Sequence, residues 1–206
     1  DVNWFRGTLS RQLSMRLQKL NVTTTVNDTP ESITAAFQAY LKACEARRAK
    51  RLASFTANSP EIVFTKFRTL RPSFFAYTEG ASDARAECNY IAGGTLSKIK
   101  MNGIWAEEET LMTDEDGVYR DPNLHFDGQH LLFSWKKSAK EDDFHLYEMD
   151  LKTRDIKQLT FGKGHADIEG IYLPDENILF NSTRCGSAVD CWFTEVSNMY
   201  LCDRED

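Results

Sequence analysis

Phe126-Asp127-Gly128-Gln129-His130-Leu131-Leu132-Phe133-Ser134 recurs 47 residues later as Leu173-Pro174-Asp175-Glu176-Asn177-Ile178-Leu179-Phe180-Asn181. Each copy is a turn carrying Asp, followed by a short apolar strand that ends in Phe. A second pair repeats beside it: Leu146-Tyr147-Glu148-Met149-Asp150 and Met199-Tyr200-Leu201-Cys202-Asp203. A more diverged copy runs from Glu61-Ile62-Val63-Phe64 through Leu96 to Met101 and on to Glu109-Thr110-Leu111. Offsets of 47 to 53 residues match the period of propeller blades.

The best copy predicts a four-stranded antiparallel blade, with strands at Pro122–Phe126, Leu131–Trp135, His145–Asp150 and Asp155–Leu159. A lone blade exposes two edges and two faces, so it needs neighbours. The last copy ends just after its third strand, and a closed ring needs at least four blades. The expected fold is therefore mainly β: a partial β-propeller of about three blade units over residues 60–206, the last incomplete. The chain reads as a fragment or a truncated copy.

Residues 1–59 read as a helical N-terminal arm. Leu9, Leu13, Leu17 and Leu20 recur at helical spacing and predict a helix over residues 8–20. Thr29-Pro30-Glu31 carries the start signals of a second helix, which Asn58-Ser59-Pro60 stops. Its stripe of Ile33, Phe37, Tyr40, Leu41, Cys44, Leu52 and Phe55 is expected to pack on the chain's own β-domain. Arg47, Arg48, Lys50 and Arg51 read as a solvated face near the C-terminal end of the helix.

Composition narrows the function classes. A chain of 206 residues with 41% hydrophobic and 12% aromatic residues can bury a real core. Its net charge of −6 argues against a nucleic-acid surface, which needs clustered positive charge. No apolar run approaches the roughly 18 residues of a membrane span. The chain begins at Asp1 with no signal peptide in view, as a processed chain or a piece of a longer one would. Five cysteines leave at least one free or paired elsewhere, and the crowding of Cys185, Cys191 and Cys202 suits an oxidising compartment.

Arg120-Asp121-Pro122, Phe126-Asp127-Gly128, Phe133 to Ser138, His145 to Asp150 and Gln158-Leu159-Thr160-Phe161-Gly162 resemble the TolB-type propeller repeat. Tyr172-Leu173-Pro174, Phe180 to Cys185 and Asp190 to Asn198 resemble exported bacterial proteins related to the middle domain of the hydrazine synthase alpha subunit. The resemblance covers residues 61–206 and implies a periplasmic or otherwise exported protein. It does not bring haem with it. Covalent haem needs C-x-x-C-H, which this chain lacks, so haem would belong only to portions outside it. The turns Thr153-Arg154-Asp155 and Asp175-Glu176-Asn177 lack the usual glycine and are expected to take a different geometry.

Blade topology gathers one set of loops at a common mouth: Arg120 and Asp121, residues 136–143, His165 to Glu169, and Arg184 to Trp192. The long insertion from Phe67 to Gly94 joins them, with Phe74, Phe75, Tyr77, Glu79, Arg85 and Glu87. The candidate binding mouth is thus Arg120, Asp121, His165, Asp167, Glu169, Arg184 and Cys185. His165, Asp167 and Glu169 alternate, so their side chains should point the same way, as a polar-ligand or metal cluster or as structural ties. In the structural reading, Asp121 and Asp167 satisfy backbone groups and pair with Arg120 and Arg184 between blades. Cys185 and Cys191 close a disulfide loop, stay reduced or bind metal; the sequence leaves the three open.

Asp114-Glu115-Asp116-Gly117 lacks the further ligands of a calcium loop and reads as a turn. Gly162-Lys163-Gly164 misses the dinucleotide fingerprint, and no G-x-S-x-G elbow occurs. No catalytic, cofactor or metal residues are assigned. The leading expectation is a binding or scaffolding module whose partners are proteins, remaining blades or a small ligand at the mouth. The rival is the middle-domain piece of a multihaem redox protein.

Overall fold

A computed structural model describes residues 2–58, 61–68, 90–188 and 196–204. The chain divides into two compact units, Asp1–Glu61 with Lys100–Glu107 and Ile62–Ile99 with Glu108–Asp206.

The first unit is a helical hairpin of α1 (Val2–Lys19) and α2 (Pro30–Asn58). Thr29 caps α2: its hydroxyl accepts the Ser32 N–H at 3.3 Å, and its carbonyl accepts the Ile33 N–H at 3.0 Å. Asn21 closes α1 in the left-handed region, at φ 56. The Val22 and Asn21 N–H groups donate back to the Leu17 and Gln18 carbonyls, which satisfies the orphaned end of the helix. Leu13, Leu17 and Ala36 are buried together, with Leu9, Ile33 and Tyr40 packed around them. The buried part of the α2 stripe is thus covered by α1, a partner the sequence reading did not assign to it. Phe37, Leu41 and Phe55 stay exposed.

The second unit holds the β-strands, apart from Glu61 and Lys100–Glu107, strand and turn residues that group with the helices. Its strands are β1 (Glu61–Phe67), β2 (Gly94–Asn102), β3 (Trp105–Asp114), β4 (Val118–Leu124), β5 (His130–Lys136), β6 (His145–Asp150), β7 (Ile156–Gln158), β8 (Asp167–Tyr172), β9 (Ile178–Ser182) and β10 (Asn198–Cys202). They form three sheets in the orders β1-β2-β3, β4-β5-β6-β7 and β10-β9-β8. All pairings in the middle and last sheets are antiparallel.

The pleat explains how the sheets stack. Successive side chains of a strand point to opposite faces. Leu131 and Phe133 of β5, with Tyr147 and Met149 of β6, enter a core shared with Leu96, Val63 and Leu111 of the first sheet. Leu132 and Leu146, one residue out of phase, pack against Tyr172, Ile178 and Phe180 of the last sheet. The middle sheet is therefore apolar on both faces. Gly170 allows the second contact to close, because a Cβ there would stand 2.8 Å from a Leu132 methyl.

Two expectations are corrected. The first strand of the middle sheet begins at Val118 rather than Pro122. Val118 and Tyr119 are fully buried, and Pro122 falls where the pairing with β5 slips between Arg120 and Asn123. A proline needs no ladder partner in a bulge, so it marks the irregularity and not the strand start. The turns without glycine also keep the left-handed geometry. Arg154 and Glu176 stand at φ 69 and 67, beside Gly128 at 70. Aspartate side chains hold them: Asp150 accepts the Lys152 and Thr153 N–H groups at 2.7 and 2.8 Å, and Asp175 accepts that of Asn177 at 3.3 Å.

Candidate functional site

The bulges of β4 and β8 recur at equivalent positions. Asp121 and Glu169, 48 residues apart, both sit at positive φ, 54 and 56. Such backbone costs of order 1–3 kcal/mol per residue without glycine, and here hydrogen bonds hold it. Asp121 Oδ2 accepts Arg120 Nε at 2.5 Å and the Glu169 backbone N–H at 3.2 Å. Arg120 also donates to the Tyr90 hydroxyl at 3.1 Å and reaches Glu169 at 3.4 Å. Asn181 Nδ2 completes the Glu169 carboxylate at 2.6 Å. Further along, Asn123 Oδ1 accepts the Tyr172 N–H at 3.3 Å. The nearly constant offset means that β4 and β8 run side by side in one direction, so their first residues lie at the same end.

A second cluster occupies that end. Asp167, the first residue of β8, is wholly buried. Its Oδ1 accepts Arg184 Nη2 at 2.8 Å, while Arg184 Nε donates to Ser182 Oγ at 2.8 Å. The guanidinium lies over the Phe180 and Tyr200 rings, 5.3 and 5.2 Å from their centroids. Asp167 Oδ2 faces His145 Nδ1 at 3.6 Å and His165 Nε2 at 3.9 Å, and none of these three buried atoms has a hydrogen-bond partner among the described residues. The spacing suits a bridging water or a small polar ligand. Burial pushes the Asp167 carboxyl up, but the nearby polar groups of His145, Ser182, Arg184 and Thr160 outweigh it and bring its pKa down to about 2. A buried carboxylate is thereby kept ionised.

The structure thus joins Arg120, Asp121 and Glu169 in one network and His165, Asp167 and Arg184 in another. Asp167 and Glu169 do not share partners, contrary to their alternation in sequence, because the bulge after Ile168 resets the pleat. Arg184 and Asp167 pair within one sheet, and of the two arginines it is Arg120 that joins two sheets, through Glu169. The Cys185 thiol donates to the Val196 carbonyl at 3.2 Å. Cys191 and the insertion residues Phe74, Phe75, Tyr77, Glu79, Arg85 and Glu87 lie outside the described residues.

Sequence reasoning missed His145, Tyr90 and Asn181. His145 was recoverable from strand pairing. Its place opposite Trp135 puts it at the end of the sheet where β8 begins.

No family model matches this chain, and no curated protein matches it by sequence. The crystal structure of TolB from Acinetobacter baumannii is similar to it. The two are 21% identical over 53% of this chain and 27% of that chain, with a TM-score of 0.35. The match thus spans about a quarter of the length of that protein. Among the described residues, no helix is long and apolar enough to cross a membrane.

Proposed function

We propose that the three sheets are successive blades of a β-propeller, and that this chain is a binding or scaffolding portion of an exported protein. Its side chains hold partners and carry no reaction of their own. The repeated bulge, the parallel course of β4 and β8 and the face-to-face stacking of the sheets support the blade reading. Export rests on the resemblance to TolB-type repeats.

One observation carries the binding role. Leu132 and Leu146 of the middle sheet are fully buried by the next sheet. Among the described residues their counterparts one repeat later have less cover: Leu179 is half-buried and Met199 is 72% exposed, with Leu201 at 58% and Ile171 at 42% beside it. An apolar sheet face of this kind binds something. The middle sheet indicates what fits, namely another sheet of the same repeat, supplied by further blades or by a partner protein. The orphaned atoms around Asp167 add a place for a small polar ligand at the mouth.

The experiment is light scattering of the chain across a concentration series, with Met199→Glu/Leu201→Glu as the comparison. The wild-type chain should associate or bind an apolar dye, and the double variant should do neither while melting at the same temperature. A monodisperse wild-type monomer with no dye-binding surface would sink the reading.

A further inference from the structure

The opposite end of the same strands carries a second constellation. His125 leaves β4, Asp127 sits in the turn and His130 opens β5, so H-x-D-x-x-H is wound into one hairpin connection. One donor atom from each lies within 4.8 Å of the other two. Asp127 Oδ2 is 3.0 Å from His125 Nδ1 and 2.6 Å from His130 Nδ1.

Hydrogen bonding sets the orientation of these groups. Asp127 Oδ1 is occupied by the Gln129 and His130 N–H groups at 2.7 and 3.2 Å, which leaves Oδ2 aimed between the two rings. His125 is buried, edge-on to Tyr172, with its ring centroid 4.6 Å away. Its Nε2 lies 3.1 Å from Glu176 Oε2 and 3.4 Å from Arg204 Nη1, and the shorter contact, to a carboxylate, favours a proton on that nitrogen. Its Nδ1 accepts the Asp127 N–H at 3.2 Å, so that one carries a lone pair. In this tautomer the Nδ1 lone pair and Asp127 Oδ2 face each other at 3.0 Å, and a proton or a metal ion between them relieves the repulsion.

The surroundings match what metal-bound imidazoles need. A ligating histidine typically donates its other N–H to a carboxylate that is itself held. Glu176 meets that description, because Arg204 Nη1 binds its Oε2 at 2.8 Å while Arg204 Nε is fixed on Glu148 at 2.7 Å.

We propose that His125 Nδ1, Asp127 Oδ2 and His130 Nδ1 bind a divalent transition-metal ion. Two imidazoles and one carboxylate suit Zn2+, Co2+ or Ni2+, whereas Ca2+ and Mg2+ prefer all-oxygen shells. Binding replaces the proton on His130 Nδ1 and spreads the donors by a few tenths of an ångström, towards bonds of ~2.0–2.2 Å. Asp127 and His130 are about one-third exposed, so the outward coordination positions stay open to water or to a ligand atom from a partner.

The test is titration of the full chain with Co2+, followed by displacement with Zn2+. One equivalent should give the visible bands of nitrogen- and oxygen-bound cobalt. His130→Ala and Asp127→Asn should each weaken Zn2+ binding well beyond 10-fold. Glu176→Gln, acting only through His125, should weaken it roughly 10-fold, and His165→Ala should leave it unchanged. Unaltered urea midpoints of the metal-free variants show that the fold is intact. Absence of the bands overturns the proposal. So does a sulfur-to-cobalt charge-transfer band, which would place the ion on cysteine, or an affinity indifferent to His130→Ala and Asp127→Asn.

Discussion

The middle and last sheets are built from the same repeat, yet they stand in different solvent. In the middle sheet both faces are covered, and Leu131, Leu132, Phe133 and Leu146 are all fully buried. In the last sheet Ile178 and Phe180 face inward and are buried, while Met199 and Leu201 look out. The strands and the bulge are alike in the two, so neither the exposure nor the cover follows from local sequence. What differs is the neighbour. The unit of stability in this molecule is thus the contact between sheets more than the sheet itself.

The strongest way to break that comparison is a pair of truncations. Leu132→Ala should cost about 2–5 kcal/mol by opening a cavity between two sheets. Met199→Ala should stay within about 0.5 kcal/mol, as exposed substitutions do. Urea denaturation at low protein concentration reads both. Equal costs would mean that the last sheet is covered after all.

A smaller effect distinguishes the ends of the strands. In the folded chain the polar groups around Asp167 hold its carboxyl down at about 2, against the ordinary 3.8. A lowered folded pKa contributes stability above the unfolded value and loses it as pH falls through the folded one. For this wholly buried group the contribution is about 2 kcal/mol, complete above roughly pH 5 and gone near pH 2. Urea midpoints measured between pH 6 and 3 should fall in the wild type, and Asp167→Asn should remove that part of the slope.

The smallest effect compares the two turns. Nothing lies within 4 Å of a Cβ added at Gly128, so Gly128→Ala tests backbone strain alone and should cost about 1 kcal/mol. Glu176→Gly relieves the same strain but loses the Arg204 and His125 contacts. Its net change should fall within about 1 kcal/mol of zero, as thermal denaturation would show.

Much of the β framework was legible because alternation and turn aspartates are local signals. Leu131 to Trp135 and His145 to Asp150 fall in strands nearly as read, and Thr29 announces α2. The bulges were not legible. A positive φ at Asp121 and Glu169 comes from contact between neighbouring strands, and nothing in Arg120-Asp121-Pro122 alone says that the proline lies inside β4. The site suffered for the same reason. Pairing Asp167 with Glu169 by alternation assumed an unbroken pleat, and His145 joins Asp167 only through strand register.

The turn at Glu176 also makes one residue's fitness depend on two distant ones. A glutamate in the left-handed region is strained, and the hold of Arg204 and His125 on its carboxylate offsets that strain. With either partner gone, glycine becomes the better residue at this turn.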